Sequence, residues 1–162
     1  MFVLRYLYVL ALVAWLGGMV VAGAIVAPSI FVVLEQWDAA EGRVLGGAVF
    51  GEVLRRIHLL GYAMGVAMFV ALTMKRLLGP RPPGYGIRVG IIAAALAFSL
   101  YSGRVVGPRV ADLTRQVAGP IAALPATDAR RVEFERLHDY SSWLLGLTAF
   151  GGLALLWWEA RE

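Results

Sequence analysis

The sequence predicts an all-α polytopic membrane protein, built as an antiparallel four-helix transmembrane bundle. The first observation is composition: 60% of the residues are hydrophobic and only 16% are charged, whereas soluble domains carry about a quarter charged residues. The second is that apolar residues cluster in runs of about 18 or more, the length at which a helix crosses a bilayer with its backbone hydrogen bonds satisfied. Prolines, glycines and charges separate four such runs. We therefore expect a single four-span domain over residues 1–162.

The first predicted span covers about residues 2–34. Ala14, Gly18 and Ala22 recur every four residues, so they form a stripe of small side chains along which another helix can approach closely. Pro28 lies inside the run, where its ring clashes with the carbonyl of the residue four positions earlier. The sequence therefore predicts a kink in this helix.

The second predicted helix begins at Asp38 and runs to about Leu78. Asp38 followed by Glu41 has the pattern of a capping box, in which both side chains bind free backbone N–H groups. Only residues 57–74 form the span, because the part before them is amphipathic and rich in glycine. We expect that earlier part to project beyond the bilayer.

The third predicted span covers about residues 87–106. Arg88 and Arg104 flank it, and we expect their long side chains to reach the membrane interface. Pro108 bends or ends the helix. The connection that follows, residues 107–127, is expected to hold a short amphipathic helix.

The fourth predicted helix begins at Thr127 or Asp128, since either residue is a favourable cap. A charged lead-in over residues 130–139 precedes the span at about residues 140–158. The second and fourth helices therefore both extend beyond the same face of the membrane, which we predict to be the outer face.

An even number of spans places both termini on one side of the membrane. The loop between the second and third spans, residues 75–88, contains Lys and Arg but no acidic residue, and short basic loops stay in the cytoplasm. We therefore expect this loop and both termini to be cytoplasmic, in a bacterial inner membrane. The net charge of +4 lies in loops and span flanks, which indicates contact with lipid head groups and not with nucleic acid.

The chain has only two histidines, and each lies at the first turn of a predicted span: His58 and His138. If the second and fourth spans run in the same direction, both imidazoles lie at the same face, where facing helices of a bundle can hold a shared ligand. Two imidazoles can ligate the iron of haem b or fill two positions of a transition-metal site. Neighbouring arginines could pair with haem propionates or another anion; they are Arg55, Arg56, Arg104 and Arg136.

Two acidic residues stand close to these positions in the sequence. Glu52 and Asp139 could accept hydrogen bonds from the imidazoles and orient them. The plainer alternative is that each histidine makes one hydrogen bond at the membrane interface, while the arginines form salt bridges between helix ends. Met64 and Met68 lie four residues apart and could suit Cu(I), although methionine in a span usually serves packing.

Sequence patterns typical of enzymes are missing: there is no GK[ST] phosphate loop, no serine nucleophile elbow and no HExxH. Cysteine is also missing, so thiol chemistry is excluded. The lead hypothesis is a non-enzymatic binding or transport-associated bundle with a polar His, Arg and acid site at its outer mouth. The alternative is a b-type haem or transition-metal protein of electron transfer. Transport by four helices would need a homo-oligomer, which the Gly and Ala faces could support.

Several short motifs follow one another along the chain: Trp15-Leu16-Gly17-Gly18, Pro28, Phe31, Gly46 and Phe50, then Arg104, Pro108-Arg109 and Phe134-x-x-x-His138-x-x-Ser141-Ser142. Over about residues 4–157, their order and spacing resemble the transmembrane-protein-205-like family, whose bacterial members are a domain of unknown function. The resemblance implies a four-span bundle without established catalytic chemistry. Remoter groups with a similar plan are the copper-resistance D proteins and a membrane protoporphyrinogen oxidase that uses a His and a Lys. The one lysine here, Lys75, is predicted at the membrane face opposite both histidines.

Overall fold

The computed structural model describes residues 2–80 and 82–161. Within these residues the chain forms four long helices and no strand: α1 (Phe2–Glu35), α2 (Ala39–Leu78), α3 (Tyr85–Arg115) and α4 (Ala129–Glu159). A 3₁₀ turn, Ile121–Ala123, lies in the connection between α3 and α4. All four helices are long and apolar enough to cross a membrane, which confirms the predicted all-α bundle.

The two ends of the bundle are named here by the segments they carry. The inner end holds the start of α1, the end of α4 and the α2–α3 loop, and the outer end holds the α1–α2 turn and the α3–α4 connection. Helix α2 has 40 residues, a length of about 60 Å at about 1.5 Å per residue. The hydrocarbon core of a bilayer is about 30 Å thick. Helix α2 is therefore about twice as long as that core is thick. That α2 and the charged start of α4 extend beyond the outer face of the membrane stays a prediction.

Aspartates begin the two helices that follow the outer connections. Asp38 Oδ1 accepts hydrogen bonds from the backbone N–H groups of Ala40 and Glu41 at 2.8 and 2.7 Å. Asp128 caps α4 by accepting from the backbone N–H of Arg130 at 2.9 Å. The guanidinium of Arg130 also binds this carboxylate and lowers the pKa of Asp128 from 3.8 to about 2. Of the two predicted caps of α4, Asp128 is therefore the one used.

Each helix packs against two neighbours, so the four helices close into a ring in chain order. Two glycines of α2 permit close approaches to its neighbours: a Cβ on Gly61 would lie 2.6 Å from Nε1 of Trp15, and a Cβ on Gly65 would collide with Leu96. These glycines thus pack α2 against α1 and α3 within one chain. The buried core between the helices includes Tyr8, Leu12, Trp15, Met68, Leu72, Ile92 and Leu155.

A π-helical turn precedes each proline inside a long helix. In α1 the turn Ala22–Val26 precedes Pro28, and in α3 the turn Ser102–Val106 precedes Pro108. A π turn shifts the backbone hydrogen-bond register by one residue, which accommodates a residue that cannot donate and whose ring needs space. Helix α3 consequently continues through its proline. The amphipathic residues expected as a separate short helix after residue 106 form the last turns of α3 instead.

The two helical hairpins, α1–α2 and α3–α4, repeat each other at a spacing of 80 residues. Matching positions share the π turn, the proline after it, the glutamine that ends the helix and the histidine of the next helix. Several matching positions are also buried in both hairpins. The pairs are Tyr8 and Arg88, Leu12 and Ile92, Met19 and Ser99, Pro28 and Pro108, Gln36 and Gln116, and His58 and His138. The repeat explains why the two histidines lie at matching positions, His58 20 residues before the end of α2 and His138 21 residues before the end of α4.

Candidate functional site: the outer end of the bundle

The outer end is electrically balanced, and most of its arginines are ion-paired. Residues 35–56 and 104–139 contain nine arginines and nine acidic residues. Seven of these arginines form ion pairs with outer-end carboxylates: Arg43–Glu35, Arg55–Glu52, Arg56–Glu52, Arg109–Glu133, Arg115–Asp112, Arg130–Asp128 and Arg131–Glu135. Among the described residues, the two remaining outer-end arginines, Arg104 and Arg136, make no ion pair, and both are exposed.

His58 lies half-buried in the seam between α2 and α3. A Cβ on Gly103 would lie 3.1 Å from its Cγ atom, so the imidazole packs directly on the backbone of the α3 π turn. One turn further along α2, the Tyr62 hydroxyl donates a hydrogen bond to the Ser99 carbonyl at 3.2 Å. The sequence did not identify Tyr62 as part of this site. Together these contacts fix α2 to α3 at the outer end.

His138 lies on an exposed face of α4. Its ring stacks on Phe134 of the same helix, with centroids 6.2 Å apart and an interplanar angle of 7°. The hydroxyls of Ser141 and Ser142 both donate to the His138 carbonyl at 2.9 Å. At the matching position of α1, a Cβ on Gly23 would meet nothing within 4 Å. The α1–α4 seam is therefore open at the level where the α2–α3 seam is closed.

Arg55 and Arg56 are both held by one carboxylate. Their Nε atoms lie 2.7 and 2.9 Å from the oxygens of Glu52. Glu52 was expected to orient an imidazole, but it binds these two guanidinium groups because they lie one turn away on its own helix. This part of the predicted site is an ion-pair network within α2.

The antiparallel register of α3 and α4 sets the level of the two free arginines. Arg109 of α3 binds Glu133 of α4 at 2.8 Å. Because the two helices are antiparallel, Arg104, five residues before Arg109, lies level with His138, five residues after Glu133. Arg136 lies within one turn of that level. The exposed guanidinium of Arg104 on α3 and the exposed imidazole of His138 on α4 therefore lie at the same level along the bundle.

The structure brings the six predicted site residues to one end of the bundle and not to one point. His58 lies in the α2–α3 seam and His138 on the outside of α4, and α2 and α4 are not neighbours in the ring. Across residues 2–80 and 82–161, no three His, Asp or Glu side chains are grouped in a way that could hold a metal ion. The arrangement is a polar rim. Among the described residues, its charged side chains outside the ion pairs are Arg104 and Arg136 together with Asp38, Glu41 and Asp139.

The bundle interior is closed. Its cavity has a volume of about 10 Å³ and is lined by side chains that include Trp15, Met19, Met68 and Thr148. A site that holds one water needs roughly 10–15 Å³. Met19 and Met68 therefore pack the core, and the cavity that they line has room for about one water.

A buried ionic cluster at the inner end was not predicted. Arg88 is fully buried and binds Glu159, while Arg5 reaches the same carboxylate at 2.8 Å and the Glu159 carbonyl at 2.9 Å. The Arg88 guanidinium also lies 4.9 Å from the centre of the Tyr8 ring. The expectation that Arg88 reaches the membrane interface is wrong, because its partners lie inside the bundle. The feature of the sequence that could have indicated this cluster is Glu159, an acidic residue in the last turn of an apolar helix.

Comparison with known proteins places most of the membrane domain in one family. No curated protein and no solved structure matches the chain. A family model described as a domain of unknown function, DUF4149, matches residues 10–118, which cover α1 from Leu10 onward and all of α2 and α3, with both π turns. That range is more than half of the 162 residues. The chain therefore belongs to the DUF4149 family.

Proposed function

We propose that this chain is a non-enzymatic binding or transport-associated protein of the membrane, and that it binds an anionic ligand at its outer end. One observation carries the proposal: among the described residues, Arg104 and Arg136 stay exposed and without an ion pair at an end where the other seven arginines each bind a carboxylate. A guanidinium presents a planar fork of N–H donors that matches a carboxylate or phosphate. His138 adds an exposed imidazole at the same level.

We favour ligand binding over the conduction of ions or solutes through a single copy of the chain. The core cavity of about 10 Å³ has room for about one water. Gly61 and Gly65 pack against Trp15 and Leu96 of the same chain, so they are not open to another chain. The glycines of α3 that remain open are Gly86 and Gly90, so a homo-oligomer that transports would use this face.

The test is a calorimetric titration of the purified chain, in an uncharged detergent, with citrate as a polycarboxylate probe. The variant Arg104→Gln/Arg136→Gln should weaken citrate binding by about tenfold or more, since each arginine supplies charge-assisted hydrogen bonds. The matched control Arg43→Gln/Arg115→Gln removes two paired arginines from the same end and should bind like the wild type. Equal binding by all three proteins would refute the site.

The haem alternative gains no support from the geometry. Axial ligation needs both imidazoles to reach one iron, whereas His58 packs on Gly103 and His138 stacks outward on Phe134. The residues as arranged do not fit a haem between them. An absorption spectrum with elemental analysis decides the question, because a Soret band weakened by His58→Ala or His138→Ala would require a rearranged outer end. The relationship to the transmembrane-protein-205-like family stays a prediction.

A further inference from the structure

The net charge of the chain is carried by the inner end of the bundle. The outer end has equal numbers of arginines and acidic residues. At the inner end, the described residues comprise five basic side chains and one acidic side chain, Glu159; the basic ones are Arg5, Lys75, Arg76, Arg88 and Arg161. Glu159 is already bound by Arg88 and Arg5. The described residues of the inner end therefore carry more basic than acidic side chains.

Two of these cations are held on aromatic rings at the membrane boundary. The guanidinium of Arg76 lies 4.6 Å from the ring centre of Tyr85, and that of Arg161 lies 4.4 Å from the ring centre of Trp157. Both arginines are exposed. Stacking occupies the flat face of a guanidinium and leaves its N–H edge free. Each stack therefore points a fork of donors toward the solvent side of the bundle.

The aromatic partners determine how deep in the membrane the two guanidinium groups lie. Tyr and Trp concentrate where the acyl chains meet the head groups, and Tyr85 and Trp157 lie in the first turn of α3 and the last turn of α4. A guanidinium stacked on such a ring lies level with the lipid phosphates. The outer end contrasts with this arrangement, since all three guanidinium–aromatic contacts among the described residues lie at the inner end.

We propose that the inner end binds anionic phospholipid through two head-group sites, the Arg76–Tyr85 stack and the Arg161–Trp157 stack. At each site the ring contacts the upper part of an acyl chain or the glycerol, and the guanidinium edge donates to the phosphate. The lipid's net negative charge offsets the excess positive charge of this end. A zwitterionic lipid offers the same phosphate but brings its own cation, so its binding gains less.

The experiment is native mass spectrometry of the chain released from uncharged detergent, with phosphatidylglycerol or chain-matched phosphatidylcholine added in a titration. The wild type should bind phosphatidylglycerol at least about tenfold more tightly, because two arginines each contribute roughly fivefold near an anionic head group. Equal affinity for the two lipids in the wild type overturns the proposal without any variant being needed.

Paired variants locate the sites. Arg76→Gln/Arg161→Gln should lower the affinity for phosphatidylglycerol by about 25-fold and that for phosphatidylcholine by much less, and neither substitution breaks a described ion pair. The control Arg43→Gln/Arg115→Gln removes the same charge from the outer end and should keep the preference for phosphatidylglycerol. An equal loss in the control would show a general charge effect and overturn the sites. The result is independent of the citrate test, which concerns the opposite end.

Discussion

Arg88 of α3 and Glu159 of α4 form an ion pair in the interior of the bundle, with side-chain exposures of 0% and 4%. Arg5 of α1 binds the same carboxylate from the bundle edge. One acidic side chain thus joins three helices at the inner end. Buried ion pairs are costly to break, because the partner that remains is an uncompensated charge in a poorly solvated site.

Glu159→Gln should therefore destabilise the fold by about 3–5 kcal/mol. The measurement is equilibrium unfolding in mixed micelles of increasing denaturing detergent. The double variant Arg88→Met/Glu159→Met should recover much of the loss, since it removes both buried charges and keeps apolar volume. If the single and double variants are equally stable, the pair does not hold the helices together.

The two seams of the repeat should respond differently to the same substitution. Gly103→Ala places a methyl group against His58 and the Tyr62 hydroxyl, whereas Gly23→Ala meets open space. Gly103→Ala should lower the unfolding midpoint, and Gly23→Ala should be neutral or stabilising, because alanine favours helix by about 1 kcal/mol over glycine. A matching loss in both variants would mean that the α1–α4 seam also closes.

Tyr62→Phe should weaken the closed seam by about 1 kcal/mol. The hydroxyl donates to the Ser99 carbonyl at 3.2 Å, and phenylalanine keeps the ring while removing that donor. Unfolding in the same micelles measures the effect, and Tyr140→Phe, on an exposed side chain of α4, is the control. No difference between the two variants would show that the hydrogen bond does not contribute.

The start of α4 should depend on pH through Asp128. Its pKa falls from 3.8 to about 2 because Arg130 binds the charged form, so the cap's stabilisation is complete above about pH 4 and is lost as pH falls toward 2. Hydrogen exchange of the Arg130 and Arg131 amides, read at a series of pH values after correction for intrinsic rates, should show this loss. Asp128→Asn keeps a cap without the charge, and its protection should not change over that range.

The apolar runs were sufficient to predict four helices, and Asp38 was sufficient to predict where α2 begins. The burial of the Arg88 side chain could not be predicted, because it depends on the ion pair with Glu159, which is 71 residues away in the sequence. The continuity of α3 was missed for a related reason: proline is read as a break, whereas the π turn before Pro108 absorbs it. The paired histidines were noticed, but the 80-residue repeat that explains them was not.

The six residues of the predicted site lie at one end of the bundle and do not form one pocket, and their role stays a prediction. Ion pairing is one reason that these residues do not form a common pocket, since Arg55 and Arg56 both bind Glu52 within α2. Which arginines remain free depends on helix register and on rotamers, and neither can be read from the spacing of charges along the chain.

The most direct test of the proposed outer site is a nuclear magnetic resonance titration of the arginine Nε–Hε signals with citrate, in uncharged detergent micelles. The proposal predicts saturable shifts of the Arg104 and Arg136 signals, with Arg55 and Arg56 unmoved because Glu52 already holds them. Shifts spread equally over all outer-end arginines, or none at Arg104 and Arg136, would contradict it.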